Sequence, residues 1–121
     1  MTIEHPILVV DDDPSILETV TEILTFEGYV VETAHNGQEA LAHIDQKRPS
    51  LVLLDMRMPV LDGWGLARKL REQGLKLPIL VMTAAQDARR WAQEVDADGF
   101  LAKPFDLVEL LTSVERMLLR S

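Results

Sequence analysis

The chain has 121 residues, 47% of them apolar, which suits one compact domain with a sizeable core and leaves little length for a second. Twenty acidic residues against twelve basic ones give a net charge of -8, which disfavours direct contact with nucleic acid or an anionic membrane. There is no cysteine, hence no disulfide framework or thiolate metal site; with no membrane-length apolar run and no signal-like start at Met1-Thr2-Ile3-Glu4-His5, the cytoplasm is the expected compartment.

Ile7-Leu8-Val9-Val10 is a short apolar run that Asp11-Asp12-Asp13-Pro14 closes, and it reads as a buried strand. Asp13 suits an N-cap and Pro14 the first helical position, so a helix follows with Ile16, Leu17, Val20, Ile23 and Leu24 on one face and Gly28 as its stop. Tyr29 to Thr33 reads as the second strand. Asn36 with Glu39 makes a capping box for a helix through Ala40, Leu41 and Ile44, ended by Pro49. Leu51-Val52-Leu53-Leu54-Asp55 is a continuous apolar run ending in a carboxylate, the pattern of a strand buried on both faces of a parallel sheet.

Beyond the turn residues Asp62-Gly63, Trp64 to Gln73 is helical with Leu66, Ala67 and Leu70 inward and Gly74 at its end. Ile79 to Met82 is a strand ended by Thr83. Ala88, Trp91, Ala92 and Val95 keep a helical stripe of mostly small residues, which predicts a weak grip on the core. Phe100-Leu101-Ala102 is the last strand, ended by Lys103-Pro104. A second capping box, Asp106 with Glu109, opens a helix through Leu107, Leu110, Leu111, Val114 and Leu118. Strands alternating with helices, five of each, predict a single doubly wound α/β domain with a parallel sheet.

On that frame Asp11, Asp12, Asp55, Thr83 and Lys103 all fall at carboxyl ends of strands, the edge where open α/β sheets bind ligands. In the flavodoxin-like order the first and third strands flank the crevice, which brings the three carboxylates together. Strands lie about 5 Å apart, so the Thr83 hydroxyl and the Lys103 arm can reach the same point. Crowded carboxylates resist ionising unless a cation offsets them, and an all-oxygen donor set without His or Cys calls for Mg²⁺. Carboxylate, metal, lysine and hydroxyl together suit a phosphoryl group carried on Asp55, since no Ser, Cys or His competes as nucleophile. Each residue alone would be an ordinary cap, turn or surface charge. Trp64 and Trp91 carry no motif and read as core or half-buried surface, and His5, His35 and His43 share no metal spacing and read as solvated.

Val9-Val10-Asp11-Asp12-Asp13-Pro14, Leu53-Leu54-Asp55-Met56-Arg57-Met58-Pro59 with Asp62-Gly63, Met82-Thr83-Ala84 and Lys103-Pro104-Phe105 resemble, in order and across the whole chain, the motifs of the receiver domain of two-component response regulators. The resemblance implies that residues 1–121 form one receiver domain with strand order 2-1-3-4-5 and five flanking helices. It implies a phosphoacceptor switch rather than an enzyme, in which Asp55 takes a phosphoryl group from the phosphohistidine of a histidine kinase or histidine phosphotransfer protein. Phosphotransfer would be self-catalysed and autodephosphorylation slow, and the partner-binding surface would change in response. By the same resemblance Asp12, Asp55 and the backbone carbonyl of Arg57 hold Mg²⁺, with Asp11 acting through a water or as a neighbouring acid. Thr83 and Lys103 would bind phosphoryl oxygens, and Phe100 would reorient when Thr83 moves. The output is a downstream protein or an output domain: the chain is a stand-alone receiver or a segment of a longer protein. The span from Thr83 to Lys103 is a residue or two shorter than the family's usual pattern.

Two other classes compete. Asp11 and Asp13 form an Asp-x-Asp, as in phosphatases of the haloacid dehalogenase type, where Asp11 would be nucleophile and Asp13 general acid, although the chain has no cap insertion and Pro14 starts a helix. A receiver-like adaptor that is never phosphorylated is the third possibility, against which the complete set of site residues speaks.

Overall fold

The computed structural model describes residues 5–119. In chain order the elements are β1 (Ile7–Val10), α1 (Pro14–Phe26), β2 (Val31–Ala34), α2 (Gly37–Gln46), β3 (Leu51–Asp55), α3 (Gly63–Glu72), β4 (Ile79–Ala84), α4 (Ala85–Glu94), β5 (Gly99–Lys103) and α5 (Leu107–Leu119). All strand pairs are parallel and the order is β2-β1-β3-β4-β5, as expected.

β1 and β3 lie inside the sheet and every residue of both is buried, which is why they read as unbroken apolar runs rather than alternating ones. Alternate residues feed two cores. One joins Leu8, Val10, Val52, Leu54 and Val81 to the inward faces of α2, α3 and α4. The other joins Ile7, Val9, Leu53, Leu80 and Met82 to α1 and α5. Helices on both faces leave only the two ends of the sheet open, so polar residues at strand ends gather at one edge.

The expected caps form. Asp13 accepts from the Ser15 N–H at 2.9 Å with Pro14 in the first turn of α1. Asp106 and Glu109 bond reciprocally, at 2.8 and 3.2 Å. At α2 the box is half as predicted: Asn36 accepts from the Glu39 N–H at 2.9 Å, while the Glu39 carboxylate turns to His35, accepting from its N–H at 3.0 Å. His5, His35 and His43 are partly or largely exposed and bond to the Arg48 carbonyl, Glu39 and Glu32 respectively.

Three expectations need correction. The second strand starts at Val31, not Tyr29, because the Tyr29 N–H donates back to Leu24 O at 3.1 Å and so completes the end of α1. β4 runs past Met82 through Thr83 to Ala84, held by pairing of Thr83 with Ala102 and of Ala84 with Lys103. Leu107 is exposed instead of core, since it opens α5 at the rim; Leu110, Val114 and Met117 carry the inward face. The α4 stripe faces the core as read, with Ala88, Trp91, Ala92 and Val95 all buried. α4 begins at Ala85 directly after β4, with Ala84 as an N-cap that makes no side-chain cap bond.

Candidate functional site

Asp55 is the last residue of β3, and Asp11 and Asp12 follow β1 on the neighbouring strand. The register that pairs Val10 with Leu54 therefore places Asp11 beside Asp55. One carboxylate oxygen from each of Asp11, Asp12 and Asp55 lies within 4.8 Å of the other two. Asp11 and Asp55 are buried and Asp12 is exposed, so the cluster opens to solvent on the Asp12 side.

Lys103, at the end of β5, reaches across β4 into this cluster. Its Nζ is 2.8 Å from Asp11 Oδ2 and 3.7 Å from Asp55 Oδ1, so the ammonium is bonded to Asp11 and only near Asp55. The other Asp11 oxygen accepts from the Asp13 N–H at 3.0 Å. Both Asp11 oxygens are thus engaged by the protein itself. Asp55 has no comparable charged hydrogen bond, and its carboxyl is pushed up from the ordinary 3.8 to about 6. Burial is the main cause and the Asp11 charge the next; the Lys103 ammonium opposes them, Asp12 adds to them, and the Met56 backbone N–H opposes them weakly.

Three carboxylates against one ammonium leave two formal negative charges in a mostly buried cluster. A hard divalent cation fits that donor set in charge and chemistry, with oxygen ligands only and one side open to water. Thr83 is buried in β4, one residue beyond the Met82 that pairs with Asp55, which puts the residue at the same edge of the sheet. Phe100 stands apart from this group. It pairs with Val81 on the outer strand, is 40% exposed, and has the Arg89 guanidinium 5.5 Å from its ring centroid.

Arg57 lies two residues after Asp55 on a loop that is closed at its base by the Gly63 N–H donating to Met56 O at 2.9 Å. A Cβ at Gly63 would come within 2.6 Å of Met56 Sδ and 2.8 Å of Met56 Cα, so only glycine permits this closure. At the tip, Leu61 N–H donates to Pro59 O at 2.8 Å around Val60, which has φ +70° and is 81% exposed: a γ-turn that a β-branched residue adopts only under strain. Asp62, read from sequence as a turn residue, is also the N-cap of α3, accepting from Gly65 N–H at 2.8 Å.

Sequence reasoning missed a cluster beside this loop. The Arg57 guanidinium stacks 5.2 Å from the Trp91 centroid, Trp64 meets Trp91 edge-on at 4.9 Å, and Trp64 Nε1 donates to Glu94 Oε1 at 2.8 Å. The sequence offered only a faint signal, a Trp and a Glu three apart on α4. Asp13, the general acid of the phosphatase reading, is engaged as the α1 cap through its Oδ1.

The family model for the response regulator receiver domain matches residues 7–115. The response regulator MprA of Mycobacterium ulcerans is 46% identical over 117 residues, covering 95% of this chain and 50% of that protein. The chain spans about half the length of the MprA relatives it matches. Among solved structures, the receiver domain of NtrX from Brucella abortus has a TM-score of 0.87 at 35% identity and covers 95% of this chain and 99% of that one. Chemotaxis response regulator CheY4 of Vibrio cholerae has a TM-score of 0.86 at 36% identity and covers 96% of this chain and all of its own. No helix among the described residues is long and apolar enough to cross a membrane. With the sheet order, the acidic edge and these matches in agreement, the chain belongs to the response regulator receiver domains of two-component signalling systems.

Proposed function

We propose that Asp55 is the phosphoacceptor of this signalling switch and that the acidic edge holds Mg²⁺. The convergence of Asp11, Asp12 and Asp55 with Lys103 carries the reading. Asp12, Asp55 and the Arg57 backbone carbonyl would hold the ion, with Asp11 contributing through a water or as a neighbouring acid. When bound, the ion supplies positive charge that offsets the carboxylates and the oxygens of the phosphoryl group in transit.

The chain's own residues account for the rest. An Asp55 carboxylate oxygen attacks the phosphorus of a phosphohistidine on a histidine kinase or histidine phosphotransfer protein; the P–N bond breaks and its electron pair stays on the imidazole nitrogen. Lys103 is 3.7 Å from Asp55 Oδ1 before transfer, close enough to exchange its Asp11 contact for a phosphoryl oxygen. Thr83 turns its hydroxyl to another phosphoryl oxygen, and Phe100 responds on the neighbouring strand, altering the surface offered to a downstream protein or output domain. The reaction is a transfer catalysed within the domain, followed by slow autodephosphorylation, in the cytoplasm and without direct contact to nucleic acid.

Acetyl phosphate with Mg²⁺, borohydride trapping and peptide mass spectrometry test this. Label on Asp55, lost in Asp55→Asn, is the expected result. Label on Asp11 would restore the phosphatase reading, and no label from acetyl phosphate or from a phosphorylated kinase would leave the unphosphorylated adaptor.

A further inference from the structure

The proposed phosphotransfer uses neither tryptophan, yet the Trp91 indole is where three elements meet. Arg57 on the loop after β3, Trp64 in the first turn of α3, and α4 itself share this one ring, which is only 6% exposed. Trp64 and Trp91 meet at 69° between planes, and the Trp64–Glu94 hydrogen bond ties the first turn of α3 to the last turn of α4. Arg57 is otherwise exposed, so the stack is what restrains its side chain. α4 lacks both a leading loop and a side-chain cap, and its buried face is Ala88, Trp91, Ala92 and Val95, of which Trp91 is by far the largest.

We infer that Trp91 is a positioning residue for the metal site: by holding the Arg57 side chain against α4, with Trp64 and Glu94 behind it, it sets the place of the Arg57 carbonyl, so that Mg²⁺ affinity and the seating of α4 are linked. The inference rests on the metal set proposed above. Linkage is reciprocal, so an ion that draws on the Arg57 main chain also tightens the stack, and a loosened stack weakens the ion. Charge alone predicts the opposite sign for an arginine variant, because removing a cation near the site should strengthen Mg²⁺ binding.

The test is calorimetric titration of Mg²⁺ into the wild type, Arg57→Met, Arg57→Lys and Trp91→Leu, with tryptophan emission followed in parallel. Arg57→Met keeps the carbonyl and much of the side chain's length but loses the stack, and should bind Mg²⁺ about three- to tenfold more weakly with a smaller metal-induced emission change. Arg57→Lys keeps a cation and should recover part of the loss. Trp91→Leu changes no charge and should weaken binding as Arg57→Met does; if it fails to fold, the Arg57 pair still decides. Equal or tighter Mg²⁺ binding by Arg57→Met overturns the inference, as does wild-type emission that ignores saturating Mg²⁺. If Mg²⁺ binds and Asp55 is labelled while Arg57→Met behaves as wild type, only this inference fails. A wild type that binds no Mg²⁺ takes the metal reading down with it.

Discussion

Asp55 imposes an energetic cost on the folded chain before any chemistry begins. Its carboxyl is raised from 3.8 to about 6, so the folded state holds a proton that the unfolded chain releases. Below pH 3.8 both states are protonated and nothing is lost. As pH rises from about 4 to 6 the unfolded chain ionises first, stability falls, and above 6 the full cost remains, at most about 3 kcal/mol and less to the extent that solvent on the open Asp12 side screens the charge. Asp55→Asn should remove it: in metal-free buffer the variant gains stability over the wild type between pH 4 and 6 and keeps the gain at pH 7. Urea melts across that range measure the difference, and parallel curves would mean Asp55 titrates normally. Lys103 works in the other direction, because its ammonium is the partner of a buried Asp11 at 2.8 Å. Removing it leaves that charge with only the Asp13 N–H, so Lys103→Ala should cost about 2–4 kcal/mol at pH 7. The penalty should shrink in an Asp11→Asn background. An equal penalty in both backgrounds would separate the two residues. That these residues lie at one edge was legible in the sequence, since strand ends can be counted along the chain. That Lys103 prefers Asp11 to Asp55 was not, because it depends on side-chain positions within a few ångströms.

At the scale of elements, α4 departs furthest from what its residues announce. Its stripe is small except for Trp91, its start is uncapped, and its end falls on Asp96, which has φ +56°. The Asp96 N–H donates to Gln93 O at 3.2 Å, closing the last turn in a left-handed conformation that glycine adopts without strain and aspartate only at a cost. Asp96→Gly should therefore stabilise the domain by about 0.5–1 kcal/mol, raising the urea midpoint with the slope unchanged. A midpoint that stays put or falls would show the aspartate to be at ease there. Elsewhere the elements were readable because pattern and caps agree: Asp13-Pro14, Asn36, and Asp106 with Glu109 start helices where the apolar period begins. Boundaries failed where a tertiary bond decided them. Tyr29 looks like a strand residue and is taken by α1; Thr83 looks like a strand end and is carried onward by pairing with β5. The Arg57–Trp91–Trp64–Glu94 cluster was invisible for the same reason, since its members come from three elements that only the fold brings together.

For the whole molecule, the acidic edge is a point where separate strands are joined by charge instead of by the cores. Asp11 and Asp12 follow β1, Asp55 ends β3 and Lys103 ends β5, so anything that binds all of them braces the sheet from outside the two apolar clusters. A ligand that binds only the folded state stabilises it by mass action, about 2.7 kcal/mol at a hundredfold excess over its dissociation constant. In a domain of this size that corresponds to a rise in Tm of roughly 10 °C. Mg²⁺ should produce such a rise at pH 7, EDTA should reverse it, and NaCl at matched ionic strength should not reproduce it, because diffuse screening cannot replace a dication seated directly on the proposed ligands. Asp12→Asn separates the site from the fold. Asp12 is exposed, so the variant's metal-free Tm should equal the wild type's or exceed it slightly through relief of repulsion, while the Mg²⁺-dependent rise shrinks to a small fraction. Differential scanning calorimetry with and without Mg²⁺ reads both quantities in one experiment. A full Mg²⁺ response in Asp12→Asn would remove that carboxylate from the ligand set.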